Sequence, residues 1–293
     1  MSIDHEKRRR FIGASEAPVL WGRGYASQSV YSLWRSKVFD ERWQPTAEEQ
    51  RRLDIGNAME PIIRDWASAE LGVTIEKPST PFVSDYMGAH LDGCHYDEHQ
   101  EFVVDEFKHV GGWQQRQQWF DSEGDAVPDG YWIQVQHQLL VSGAEYGMLW
   151  GMCGDELLVR KIDRDEQFLS DHLVQCHLFW GYVERREPPP VDGSQATTDA
   201  IVRAFPRPAK VDPVTLPADA DEWTSTIKTL DEQIKNLEST RDELKNKLRA
   251  AIGEHEAGRT LSGQLWTWKL QTRKPHTVKA SESRVLKLMK GKS

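Results

Sequence analysis

Apolar residues along this chain recur in two rhythms, one near 3.6 residues and one of two, and these alternate through residues 1–186. Ser15 to Trp34 has the helical rhythm, broken at Gly22-Arg23-Gly24 into two helices. Thr46 with Glu49 three residues on has the form of a capping box. The helix it opens runs to Leu71, with Gly72 suited to a left-handed cap, and Pro61 either kinks it or restarts it after Glu60. Residues 82–91 and 102–108 read as strands. Pro128-Asp129-Gly130 introduces a helix from Tyr131 to Ser142, stopped by Gly143. Tyr146–Met152 and Glu156–Ile162 form a hairpin around Cys153-Gly154-Asp155. Asp165 to Val183 is an amphipathic helix with Phe168, Leu173, Cys176, Phe179, Trp180 and Val183 on its apolar side.

The rhythm then stops. Residues 187–220 hold Pro188-Pro189-Pro190, Pro206, Pro208, Pro213 and Pro217 and read as an extended linker. Beyond it, Trp223, Ile227, Leu230, Ile234, Leu237, Leu244, Leu248 and Ala251 fall four and three apart, with Arg241 interrupting. That is a heptad seam of about four repeats, roughly 45 Å long at about 1.5 Å per residue. Arg241 at a seam position weakens a long parallel dimer and favours a shorter packed helix. A small hairpin over Thr260–Gln271 and a short helix over Ser281–Met289 end the chain. The order predicts an α/β core, residues 1–186, a Pro-rich linker, 187–220, and a coiled-coil extension with a hairpin and a terminal helix, 221–293.

Composition narrows the classes. The net charge of -9 argues against a protein that coats DNA by bulk charge, yet leaves room for a local basic channel beside a carboxylate-rich site. No apolar stretch nears the ~20 residues of a membrane span, and the polar, basic start lacks a signal-peptide core. Three scattered cysteines without a Cys-x-x-Cys pair speak against a zinc ribbon and fit a reducing cytoplasm.

The chemistry concentrates between Asp92 and Lys108. Asp92 follows an apolar run and precedes Gly93; Glu106 and Lys108 lie two apart on a strand and so share a face, roughly 7 Å apart. An Asp at a turn followed by Glu-x-Lys supplies two hard oxygen ligands and one cation, as a magnesium-dependent phosphodiesterase needs. The same residues also read as a hairpin turn and a solvated strand face. Glu60 is either a helix-start carboxylate or a further acidic group facing this pair. Gln134 shares a helix face with Tyr131 and Gln138; these polar groups mark either a boundary helix or contacts to a bound water or phosphate. Arg8, Arg9 and Arg10 before Ser15 are either a solvated tail or a terminal-phosphate pocket. His90, Cys94, His95 and His99 match no zinc spacing and read as satisfied polar residues.

Six segments taken together resemble the YqaJ-type viral recombination nucleases, the lambda-exonuclease-like branch of the PD-(D/E)xK superfamily: Ile12-Gly13-Ala14-Ser15-Glu16-Ala17, Gly56-Asn57-Ala58-Met59-Glu60-Pro61, Leu91-Asp92-Gly93, Glu106-Phe107-Lys108, Tyr131-Trp132-Ile133-Gln134-Val135-Gln136 and Phe179-Trp180. The chain departs from the family at His90-Leu91, where Ser-Pro is frequent. The resemblance implies a restriction-endonuclease-like core, a central mixed sheet flanked by helices. It implies digestion of double-stranded DNA from an end, 5′ to 3′, leaving 3′ single strands for recombination. It makes Asp92, Glu106 and the Phe107 carbonyl ligands of Mg2+, with Mn2+ able to substitute, and Glu60 an acidic group at a second metal position. Lys108 then positions or activates water, and Gln134 contacts water or phosphate. Ser15 with Arg8, Arg9 or Arg10 binds the 5′ phosphate, and Gln136 contacts DNA. It further implies a homo-oligomer, such as a trimeric ring, a single-strand annealing protein as partner, and action in the cytoplasm, the host's if phage-encoded. Two other readings stand beside it: an endonuclease or nickase of the same superfamily, and a non-catalytic adaptor working through its coiled coil.

Overall fold

The computed structural model describes residues 9–41, 44–111, 127–208 and 213–272. Arg8 and the helix expected at Ser281–Met289 lie outside them. The chain divides into two units, residues 1–205 and 206–293.

The first unit is built on two sheets. Strand β1 (Ile12–Gly13) pairs in parallel with β3 (Met87–Ala89), which pairs antiparallel with β2 (Phe82–Ser84). The single strand expected over 82–91 is thus two. Asp85 takes a left-handed φ of 52° and turns the chain between them. The larger sheet runs β4 (Gly93–Tyr96), β5 (Phe102–His109), β6 (Tyr146–Cys153), β7 (Glu156–Asp163). Its central pair is parallel and its outer pairs antiparallel, so it is mixed.

Helices cover both faces of this sheet. Helix α1 (Val30–Phe39) follows a 3-10 turn at Ala17–Trp21, where a first helix was expected. Helix α2 spans Ala47–Leu71 with the Thr46/Glu49 capping box formed and Gly72 as left-handed cap. Pro61 lies inside it without dividing it. Helix α3 (Asp129–Ser142) ends on left-handed Gly143, and α4 (Glu166–Arg185) is capped by Asp165. Along β5 the side chains alternate as the pleat requires. Phe107 packs with Ile63, Ala67 and Trp150 in the core beneath α2, and Val104 packs with Val135, Leu139 and Leu149 in the core beneath α3. Even-numbered β5 residues therefore face α3. This is the α/β class with a mixed sheet between helices that the sequence predicts.

Two expectations fail locally. Leu173 was placed on the apolar side of α4 but is 39% exposed; Leu169 and His172 are buried in its stead. The segment read as extended contains helix α5 (Gln195–Ala204), whose Ala196, Thr197 and Ala200 are buried. Thr197 Oγ1 donates to Ser29 Oγ at 2.8 Å, tying α5 to the cap of α1. Small residues spaced for close helix contact were masked by the flanking prolines.

The second unit contains α6 (Ala220–Ile252) and an antiparallel pair, β8 (Ala257–Arg259) and β9 (Leu265–Thr267). With 33 residues, α6 is not the shortened helix that Arg241 was expected to favour.

Candidate active site

Strand β5 delivers Glu106 and Lys108 to the α3 face, and α3 answers with glutamines. Gln134 and Gln138, four apart, lie on one helix face. Gln134 Nε2 donates to Glu106 Oε1 at 2.6 Å and Gln138 Nε2 to Glu106 Oε2 at 2.6 Å. Lys108 Nζ donates to Glu106 Oε1 as well and to Gln134 Oε1 at 3.2 Å, and it sits 5.1 Å from the centre of the Tyr131 ring. Glu106 is buried, 1% exposed. Burying a carboxylate costs several kcal/mol unless cations and donors meet it, and here three side chains do. Asp92 comes in from the loop between β3 and β4, where the Phe107 amide approaches Asp92 Oδ2 at 3.4 Å.

The charges in this cluster are coupled. Burial, then Glu106 and Glu60, push the Asp92 carboxyl well above the usual carboxylate range against the opposing pull of Lys108. For Lys108, burial works to lower the ammonium's pKa, but Glu106, Asp92 and Tyr25 outweigh it and raise it. The lysine is therefore a cation at neutral pH. Burial and neighbouring Tyr25 push Tyr131 up to about 12.

Glu60, on α2, is held by Lys77 and by Arg64 at 3.6 Å, while Arg64 also donates to the Asp92 carbonyl at 3.1 Å. Glu60 is thus beside the Asp92 loop but already paired with two cations. The oxygen-rich set Asp92, Glu106 and the Phe107 carbonyl suits a hard divalent cation. Glu106 raises the proton affinity of the buried Asp92 carboxyl, which marks a shortage of positive charge there, and buried Gln138 Oε1, beside Glu106, has no hydrogen-bond donor. A hydrated cation supplies both, so these residues fit one.

Other candidates fall elsewhere. Gln136 is fully buried; its Nε2 donates to the Asp163 carbonyl at 2.7 Å and its Oε1 accepts from the Asp165 amide at 3.1 Å. Two positions from Gln134, it points to the far side of α3 and joins β7 to α4 where a DNA contact was expected. Arg9 donates to the Lys37 and Val38 carbonyls at 3.2 and 3.3 Å, closing the last turn of α1. That is a structural use in place of the expected phosphate contact. Arg10 is exposed and Ser15 partly buried. His95 Nδ1 lies 2.6 Å from Asp105 Oδ2 inside the fold, a satisfied polar histidine as read.

Sequence reasoning put Gln138 on the Gln134 face but gave a site role to Gln134 alone, although the four-residue spacing carries the signal for both. It also gave no hint of a buried group across the fold, His137, His172 and Cys176, whose metal-capable atoms lie within 4.8 Å of one another. Trp21 Nε1 donates to His172 Nδ1 at 2.9 Å, which leaves the His172 proton on Nε2. That nitrogen is 2.8 Å from His137 Nδ1, and His137 Nε2 is 3.1 Å from the Ile12 carbonyl. The pair forms a neutral hydrogen-bonded chain rather than a metal site, because the indole holds His172 in the tautomer that cannot ligate through Nε2. Burial lowers both rings, His137 to about 3 and His172 to about 4.

Comparison with known proteins agrees with the motifs. A YqaJ-like viral recombinase domain matches residues 5–145. The uncharacterized protein YqaJ of Bacillus subtilis (strain 168) is 25% identical over 267 residues, covering 86% of this chain and 78% of that protein. Among solved structures, the chain is similar to an alkaline exonuclease (LHK-Exo) from Laribacter hongkongensis, with a TM-score of 0.49 and 15% identity over 62% of this chain and 92% of that one. It is also similar to a phage related exonuclease from Haemophilus somnus 129PT, with a TM-score of 0.45 and 10% identity over 60% and 94%. Residues 5–145, which hold the Asp92, Glu106-Phe107-Lys108 and Gln134 segments, are thus similar to a YqaJ-like viral recombinase domain.

Proposed function

We propose that the protein is a magnesium-dependent exonuclease that degrades linear double-stranded DNA, 5′ to 3′, and leaves 3′ single strands for phage-type recombination. The observation that carries this reading is the buried Glu106 carboxylate, clamped by Lys108, Gln134 and Gln138 with Asp92 at its side. A fold gains little stability from such a cluster, whereas metal-dependent phosphodiester hydrolysis uses carboxylates and a cation placed this way. The viral recombinase description of residues 5–145 supports the substrate class.

Asp92, Glu106 and the Phe107 carbonyl are the residues that would hold Mg2+, or Mn2+ in its place, with Glu60 as a further acidic group. The cation, when bound, lowers the pKa of water and neutralises the charge that develops on the phosphate. The chain's own groups do the rest. Gln134 and Gln138 fix both oxygens of Glu106. Lys108, held protonated by its carboxylate neighbours, is a positioned cation that orients water and offsets charge on the transition-state oxygens, not a free base. Arg10 and Ser15 are the described candidates for a 5′-phosphate contact. Partners in this reading are duplex ends, a single-strand annealing protein and further copies of the chain. The site of action is the cytoplasm; no described helix is long and apolar enough to cross a membrane.

The test is digestion of linear and covalently closed plasmid side by side, with Mg2+ and with chelator. Loss of the linear form alone, only with Mg2+ and faster from 5′-phosphorylated ends, is expected. Equal loss of both forms would move the assignment to an endonuclease, and loss of neither to an adaptor.

A further inference from the structure

Helix α6 carries a row of large apolar side chains that its own unit leaves in solvent. Trp223, Ile227, Leu230, Ile234, Leu237 and Leu244 are each between 49% and 70% exposed. The helix is covered at its ends, where Ala220 and Ile252 are buried. A 33-residue helix presenting such a row to solvent has the character of an interaction surface.

The spacing says what kind of surface covers it. Four and three alternate without drift from Trp223 to Ala251, a period of 3.5 rather than 3.6. A helix laid against a globular core shows a broader stripe with the longer period; a strict seven-residue repeat matches another helix with the same repeat. Ile227 and Ile234 take the a positions and Leu230, Leu237 and Leu244 the d positions of that repeat. Among the described helices, α6 is the one that sustains that repeat with apolar residues over four heptads.

Charge decides the direction. Two parallel copies in register set Arg241 against Arg241 across the seam. Their flanking pairs, Thr226 with Asp231, Gln233 with Glu238 and Thr240 with Lys245, contain no opposite charges. Antiparallel copies with Ile234 facing Leu237 set Arg241 against Leu230 instead. Asp231 then faces Lys245 and Asp219 faces Lys247, each twice by symmetry. One like-charged meeting remains, Glu238 with Glu238, and each of these has the Arg241 guanidinium of its own helix at 3.5 Å.

We propose that α6 pairs with α6 of a second copy of this chain as an antiparallel two-stranded coiled coil centred between Ile234 and Leu237. The pairing rests on the heptad seam and its flanking charges, and it is independent of the nuclease reading.

Two differently tagged full-length chains, one I227C and the other L244C, test it. The three native cysteines are in the first unit, two of them buried, and unmodified chains give the background. In the antiparallel register positions 227 and 244 meet, so co-expression followed by mild oxidation yields a cross-linked heterodimer, while either variant alone yields none above background. Cross-linking of a variant with itself would indicate a parallel pair and overturn the proposal. Absence of cross-linking in the mixture would overturn it too, leaving another segment or another protein on this face. Mass by light scattering gives a second reading: L230D/L237D in the full chain is expected to halve the mass of the assembly, and an unchanged mass would contradict the pairing.

Discussion

Gln138 Nε2 donates to Glu106 Oε2 at 2.6 Å, so the two oxygens of the central carboxylate are held by different partners: Oε1 by Lys108 and Gln134, Oε2 by Gln138. A carboxylate pinned at both oxygens cannot rotate, and its lone pairs are already aimed when a cation arrives. Ligand-orienting contacts of this kind are worth roughly 10–100-fold in metal affinity.

Gln138→Leu is therefore expected to raise the Mg2+ concentration for half-maximal activity by about 10-fold or more. Gln136→Leu is the control, because its bonds to Asp163 and Asp165 are made elsewhere in the fold. That variant loses stability, about 1–3 kcal/mol for the buried partners left unmet, and keeps its Mg2+ dependence. Mg2+ titrations of activity paired with thermal melts separate the two. Equal shifts in Mg2+ dependence for both variants would contradict the distinction.

If Asp92 holds a metal as proposed, proton and cation compete there. Its carboxyl is raised by burial and by Glu106 and Glu60, above the unfolded value near ~3.9. The sign follows from linkage: the native state binds the proton more tightly, so this group's contribution to stability is full below that value and is lost as pH rises through the raised one. On the proposed reading, Mg2+ replaces the lost proton. The rise in Tm on adding Mg2+ should thus grow from acidic to neutral pH, and Asp92→Asn should abolish that growth. A Mg2+ shift independent of pH in the wild-type chain would refute the coupling.

The buried histidine pair acts with the opposite sign. His137 and His172 have native values of about 3 and about 4, below the unfolded value near ~6.5. Their contribution is complete above that unfolded value and is lost as pH falls toward the native ones. The cost is on the order of 1 kcal/mol per histidine for each pH unit below it. His172→Gln removes one titrating group from the chain that links Trp21 to Ile12. Urea unfolding at several acidic pH values should show a shallower loss of stability for the variant, whereas parallel curves would remove the pair from the account.

Much of this was legible because it is local. Thr46 with Glu49, Gly72, Gly143 and Asp165 each mark a helix end through a contact within a few residues. That Glu106 and Lys108 share one strand face, and Gln134 and Gln138 one helix face, was legible because strand and helix periodicity fix which side chains lie together. Gln136 was misjudged by following the motif's letters, although two residues of helix turn it about 200° away from Gln134. Arg9 was read as a free cation because the carbonyls it caps are 28 and 29 positions away. The histidine chain joins residues 12, 21, 137 and 172, a meeting no local pattern announces.

The central claim is that the cluster around Glu106 hydrolyses DNA with a divalent cation. Its most direct test is the rate of digestion of linear duplex by wild type, Asp92→Ala, Glu106→Ala and Lys108→Ala, each checked for folding by its Tm, with Mg2+ and with chelator. Wild type should digest only with Mg2+, and each folded variant should be slower by about 100-fold or more. Digestion at the wild-type rate by folded Glu106→Ala, or undiminished digestion in chelator, would contradict it.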